Sequence, residues 1–141
     1  MRTKSFFQLS GLVALLLLII SGCGSNIKSE LVGTWKVADV ITDIDTASIR
    51  PEALESVLEN YRSVHFEFYE NNSMSIVTSG NSYSGGWLYD DSERMIKIRF
   101  DNSSNPEYSP LGILEDGRIT NINNTGIGVI TVIYEKAELQ E

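Results

Sequence analysis

From residue 64 onward, apolar and polar positions alternate along most of this chain, and a period of two predicts strands. Val64, Phe66 and Phe68 alternate with His65, Glu67 and Tyr69. Met74 and Ile76 extend a second strand to about Thr78, and Tyr83, Gly85, Trp87 and Tyr89 share one face of a third. Ile96, Ile98 and Phe100 alternate with Met95, Lys97 and Arg99, the clearest half-buried strand of the chain. Tyr108 to Leu114 reads as another, but Pro110 cannot donate to a ladder, so this strand is edge, bulged or broken. Arg118 to Ile122 is a weak strand, and Val129 to Tyr134 is a β-branched last one.

Turn chemistry separates these runs. Asn71-Asn72 tolerates the left-handed conformation, and Gly80-Asn81, Asp90 to Glu93 and Asn123 to Gly126 mark further turns. Asp116-Gly117 is a hairpin signal. Gly85-Gly86 lets its strand bend sharply, as a small barrel requires.

The earlier part of the chain reads differently. In the segment from Leu31, positions Trp35, Val37 and Ile41 share a strand face by alternation, with Asp39 as the odd charged member. Thr42 to Arg50 is expected to be a polar loop. Pro51 fits the first turn of a helix, Glu52 and Glu55 suit its positive end, and Leu54, Val57, Leu58 and Tyr61 form an apolar stripe. The spacing predicts one helix over about 51–61, the only one between Cys23 and the C-terminus. Its stripe must cover something apolar, most simply a barrel mouth.

About eight short, regularly spaced strands predict an all-β antiparallel up-and-down barrel, with one helix between the first and second strands. Eight strands leave an interior that side chains just fill, or that holds one small ligand. Gly33-Thr34-Trp35 resembles the opening G-x-W strand of the lipocalin superfamily, whose Trp packs across the closed barrel end. The resemblance covers residues 31–136, with 137–141 as a charged tail. It implies a lipocalin-like domain and a ligand in the barrel. The chain departs from that pattern in having no helix after the last strand. No Arg closes that strand over the Trp, which leaves Lys136, Arg99 or Arg118 as substitutes.

The N-terminal segment carries an address. Arg2 and Lys4 precede an unbroken apolar run from Leu12 to Ile20, the length of a signal-peptide core and short for a spanning helix. Ile20-Ser21-Gly22-Cys23 resembles the bacterial lipobox. That implies a signal peptide over 1–22, removed on export, and lipid attachment at Cys23, with residues 23–30 as lipidated Cys and tether. Gly24, where Asp retains many lipoproteins in the inner membrane, points to the outer membrane in a cell that has one. Gly24 to Glu30 reaches at most about 25 Å, which keeps the domain near the lipid surface.

Charge and composition narrow the partners. The chain has 141 residues, Lys+Arg 11, Asp+Glu 19 and a net charge of -8. Removing residues 1–22 takes Arg2 and Lys4 away and leaves it more acidic still. That balance argues against nucleic acid, which needs a Lys/Arg face. It argues equally against electrostatic adhesion to anionic lipid. With Cys 1, no intrachain disulfide forms.

Candidate chemistry is sparse. The single His65 should point outward, opposite Val64 and Phe66, and no Ser-His-Asp set is expected from it. Gly80-Asn81-Ser82-Tyr83-Ser84 lacks the closing Gly of a nucleophile elbow. Zinc needs more His and Cys than this chain has. Gly126-Ile127-Gly128 leads into a strand and not the helix that a dinucleotide loop needs. Asp39, Asp43 and Asp45 match no calcium spacing. Asp45-Thr46-Ala47 resembles an Asp-Thr-small O-glycosylation site of exported bacterial proteins. Neither catalytic residues, nor a metal, nor a cofactor is expected, and the chain is read as a non-enzyme.

What remains is an apolar interior. Trp35, Val37, Phe66, Phe68, Met74, Ile76, Trp87, Ile96, Ile98 and Phe100 should face one another, and a filled or nearly filled core is favoured over an open pocket. The candidate ligand-lining residues are Trp35, Asp39, Phe66, Phe68, Trp87 and Phe100. A buried carboxylate is costly unless paired. Either a bulge turns Asp39 outward, the favoured outcome, or it sits at an open mouth and meets a ligand's polar head. The expected function is a membrane-anchored, lipocalin-like lipoprotein that binds a small hydrophobic or amphipathic molecule at the cell envelope. The alternative is a packed barrel serving as a protein-interaction or structural module there.

Overall fold

The computed structural model describes residues 26–138. The expected signal peptide, the expected lipid-attachment residue Cys23 and the last three residues lie outside them. Eight strands close into one antiparallel barrel in sequence order, the last pairing with the first. They are β1 (Gly33–Ile44), β2 (His65–Phe68), β3 (Ser73–Thr78), β4 (Asn81–Asp90), β5 (Met95–Phe100), β6 (Ser109–Glu115), β7 (Arg118–Thr125) and β8 (Gly128–Lys136). Because the order is an unbroken meander, the β2–β3, β4–β5 and β6–β7 turns lie at the end where β1 begins. That end is called lower here. The remaining connections lie at the upper end.

Helix α2 (Pro51–Arg62) joins β1 to β2 and packs against β1. It is the helix expected over 51–61. It is not the only helical segment: Ile27–Leu31 forms a short helix, α1, and Thr46–Ser48 a 3-10 turn. Asn26 caps α1, its Oδ1 accepting from Lys28 N at 3.2 Å. Asp45 caps the 3-10 turn in the same way, accepting from Ala47 N at 3.1 Å.

The turns obey their local chemistry. Asp116 and Gly117 both take positive φ, 50° and 72°, between the paired residues Glu115 and Arg118. That is the two-residue hairpin whose twist matches its strands. Asn72 adopts φ 66° in the β2–β3 turn. Gly85 is needed for another reason. A Cβ built there would meet the Arg99 carbonyl oxygen at 2.1 Å, so only a residue without a side chain lets β4 pass so close to β5.

Two strands run longer than the pattern indicates. β1 continues to Ile44 and takes in part of the expected polar loop, because its second half pairs fully with β8. β7 continues through Thr125, pairing Asn123 with Ile130 and Asn124 with Val129, so the turn shrinks to Gly126-Ile127. Backbone pairing with a strong neighbour outweighs the weak strand propensity of Asn.

Two bulges set the register. On β1 the pairing slips between Val37 and Asp39, so Ala38 is the extra residue. On β6 it slips at Leu111, next to Pro110, as a strand containing that proline demands.

Candidate functional site

The barrel interior has two tiers. In the lower tier Trp35 and Trp87 are each 1% exposed. Trp35 Nε1 donates to the Leu31 carbonyl at 2.8 Å, and Trp87 Nε1 to that of Tyr69 at 3.1 Å. A chain of rings links this tier upward. Trp87 lies 5.3 Å from Phe68, Phe68 stacks at 6.0 Å on Phe66, and Phe66 meets Tyr134 edge-on at 4.9 Å. Met74, Ile96, Leu114 and Ile119 are buried with them. Large side chains in mutual contact leave this half to packing. Thus Trp35, Phe66, Phe68 and Trp87 do come together, as a solid floor.

Lys136 is the basic residue brought to the Trp. It is the cross-strand partner of Trp35, and its Cε lies 2.8 Å from the position of a Cβ on Gly33. Arg118 instead pairs with Glu135 at 2.7 Å, and Arg99 sits 5.3 Å from the centre of the Tyr108 ring.

Asp39 does not line the interior. The bulge at Ala38 reverses the alternation, so Val40 and Thr42 oppose the buried Val132 and Ile130, while Asp39 faces solvent. Its Oδ1 accepts from Val40 N at 2.8 Å. The same reversal carries Ile41 out of the face it was expected to share with Trp35 and Val37, and leaves it 51% exposed. Phe100 also fails to join the core. It keeps the inward alternation of Ile96 and Ile98, yet at the upper rim it is 38% exposed, its ring edge-on to Tyr83 at 6.4 Å.

The upper tier is open and partly polar. Thr42 faces inward and is nonetheless exposed, so solvent enters the mouth there. Asn121 and Asn123 oppose Val132 and Ile130 and therefore face inward too. Asn123 Nδ2 donates to Asn121 Oδ1, and Asn121 Nδ2 donates to the Leu111 carbonyl. That chain bridges the seam where the β6–β7 ladder stops at Ile113 and Thr120.

Helix α2 closes the mouth only in part. Leu54, Leu58 and Tyr61 are half-buried, none of its residues is buried, and Val57 remains exposed. Between its C-terminal half and the β3–β4 turn lies an apolar groove of about 430 Å³. Val57, Tyr61, Val64 and Thr78 form its walls, with Asn60, Ser79 and Asn81 at the edge. Tyr61 also lies near the buried Tyr134. Burial, and to a lesser extent the nearby Tyr61, push the Tyr134 phenol well above its ordinary pKa.

Of these residues, Tyr61 and Tyr134 entered the sequence reading only as part of a stripe and of a strand. A signal was there: Tyr134 continues the alternation of Ile130 and Val132, and a tyrosine sent inward asks for a polar partner. The inward turn of Asn121 and Asn123 had no such signal, because their strand was weak and its end unrecognised.

No family model and no curated protein matches this chain. Among solved structures, the crystal structure of a DUF4847 family protein from Bacteroides vulgatus is similar in fold. Its TM-score is 0.51 at 12% identity, covering 82% of this chain and 100% of that one.

Proposed function

We propose that this protein is a lipid-anchored envelope barrel that binds a small amphipathic molecule in the groove beneath α2. The observation that carries the reading is the groove itself. It is apolar, it takes about 430 Å³, and it opens at the one end of the barrel that side chains do not fill. A pocket of this size with a few polar groups at its edge suits a small molecule. Anchoring rests on the resemblance of Ile20 to Cys23 to a lipobox, after an apolar run of signal-peptide length. Two or more acyl chains at Cys23 would hold the domain stably at the membrane.

Native mass spectrometry of the protein released from membranes in mild detergent tests the binding. A co-purifying mass of lipid-like size, lost when Val57→Trp fills the groove, supports it. A bare protein mass in both forms removes it.

A second reading, a packed barrel that docks a protein partner, is favoured by one feature of the outer face. Ile41 and Ile122 both pair with Thr131, so the three lie in one row across β1, β8 and β7. The two isoleucines are 51% and 58% exposed. In-cell cross-linking from position 131 should return a single dominant protein on this reading, and Ile41→Lys with Ile122→Lys should abolish it. Scattered products would count against it.

A further inference from the structure

At the upper end β4 outruns β5. Residues 81–84 pair with β3, but the β4–β5 ladder ends at Gly85 and Phe100. Past Phe100 the chain turns. Asp101 N–H donates to the Ser84 carbonyl at 3.0 Å, and Ser103 N–H to that of Phe100 at 3.2 Å. A notch of about 320 Å³ is left beside the edge of β4, lined by Ser82, Tyr83, Ser84, Phe100, Asp101 and Asn102. It shares no lining residue with the groove beneath α2.

The notch offers two kinds of surface. One is aromatic. Phe100 opposes Gly85, which makes Tyr83 its diagonal neighbour on the same face. The two rings meet edge-on and are 50% and 38% exposed, so ring surface is open to solvent. The other surface forms hydrogen bonds. Along an antiparallel strand, alternate residues send their N–H and C=O to the same side. The Ser84 carbonyl points to the β5 side, so the N–H and C=O of Ser82 point there too, where β5 has already ended. The side chains of Asp101 and Asn102 are exposed and make no hydrogen bond or ion pair among the described residues.

This mixture selects a ligand. An anion would meet the Asp101 carboxylate, and no Lys or Arg lines the notch to receive it. A cation would leave the Ser82 and Asn102 N–H groups with nothing to bond. A peptide adding as a strand needs a longer edge than residues 82–84, which stop just short of the Ser79-Gly80 turn. Neighbouring hydroxyls on a sugar ring each donate and accept, as this set of groups requires. The weakly positive C–H face of the same ring suits the negative face of an aromatic side chain.

We infer that the notch is a saccharide site. Tyr83 and Phe100 form the platform for the C–H face of a neutral sugar, and Asp101, Asn102 and the Ser82 backbone take its hydroxyls.

Saturation-transfer NMR of the full chain in phosphatidylcholine nanodiscs tests it. The probes are the methyl glycosides of glucose, galactose, mannose and N-acetylglucosamine, with tetramethylammonium as a cationic control. At least one glycoside should show saturable transfer, strongest at its ring C–H protons. Tyr83→Ala and Phe100→Ala should each weaken that binding about tenfold or more. Asp101→Ala should weaken it about three- to tenfold. All three positions are exposed, so the circular dichroism spectrum of each variant should match that of the parent, which separates a lost contact from a lost fold. Absence of saturable transfer to all four glycosides overturns the inference. So does a glycoside whose binding survives both ring substitutions. Tetramethylammonium binding more tightly than any glycoside, and lost with the same rings, overturns it in favour of a cation cage.

Discussion

The indole N–H of Trp35 donates to the carbonyl oxygen of Leu31 at 2.8 Å, and both residues are buried. The bond ties Leu31 to the start of β1 at the lower end of the barrel. Trp35→Phe keeps an aromatic ring there but strands the Leu31 carbonyl without a donor. It should cost about 1–3 kcal/mol, read as a lower urea midpoint at unchanged slope. Groove affinity should stay as it was, since the ring lies in the sealed tier.

Ala38 is the extra residue of the β1 bulge. Deleting it joins Val37 directly to Asp39 and leaves Trp35, Val37, Val40 and Thr42 on the inner face and Asp39 and Ile41 on the outer one, in the register they already share with β8. The expected outcome is a cooperative unfolding transition that is kept, with only the bulge and its added twist lost. Asp39→Asn, at an exposed position, should change stability by no more than about 0.5 kcal/mol. The two substitutions, followed by circular dichroism melts, separate the bulge from the charge beside it.

Gly85 approaches Arg99 too closely for any side chain. The obstacle is backbone, which cannot rotate aside. Gly85→Ala should therefore destabilise by at least about 2 kcal/mol. Hydrogen exchange should speed up first in the β4 and β5 amides.

Acid and alkaline behaviour should depend on the β4–β5 turn. The Lys97 ammonium, 2.7 Å away, holds the Asp90 carboxyl well below the usual carboxylate range, and the Ser92 hydroxyl adds to this. Asp90, and then Glu93, raise Lys97 above its ordinary value. Stability from Asp90 is therefore present above its unfolded pKa of about 4 and is lost as pH falls through the depressed folded value. Stability from Lys97 is present below about 10.4 and is lost as pH rises through the raised value. Asp90→Asn should flatten the acid side of the urea midpoint against pH, and Lys97→Met both sides. Added salt should shrink the wild-type dependence, as the groups are partly exposed.

The strands from β2 to β5 were legible because each has one face in the core and one in water. Val64 to Phe68 and Met95 to Phe100 write that alternation directly into residue types. The helix was legible from Pro51 and its stripe. Asp39 and Ile41 were placed less well by simple alternation, since one inserted residue reverses every position after it. Phe100 continues its strand's inward pattern and still ends at the rim, because alternation gives a face and not a depth. Asn121 lay in a strand of weak signal and Asn123 in an expected turn, as the full length of β7 comes from the long pairing with β8.

The sequence by itself determined the class: an antiparallel barrel of eight strands, with a helix after the first. It did so because local alternation, turn residues and proline placement act over a few residues. Only the tertiary structure decided where the barrel is solid and where it is open. That division depends on which side chains from distant strands reach the same level. Trp35 and Trp87 are both buried in the lower tier, while Thr42, Asn121 and Asn123 share the upper one. Packing at a given height is a property of register and bulges, and no local pattern records it.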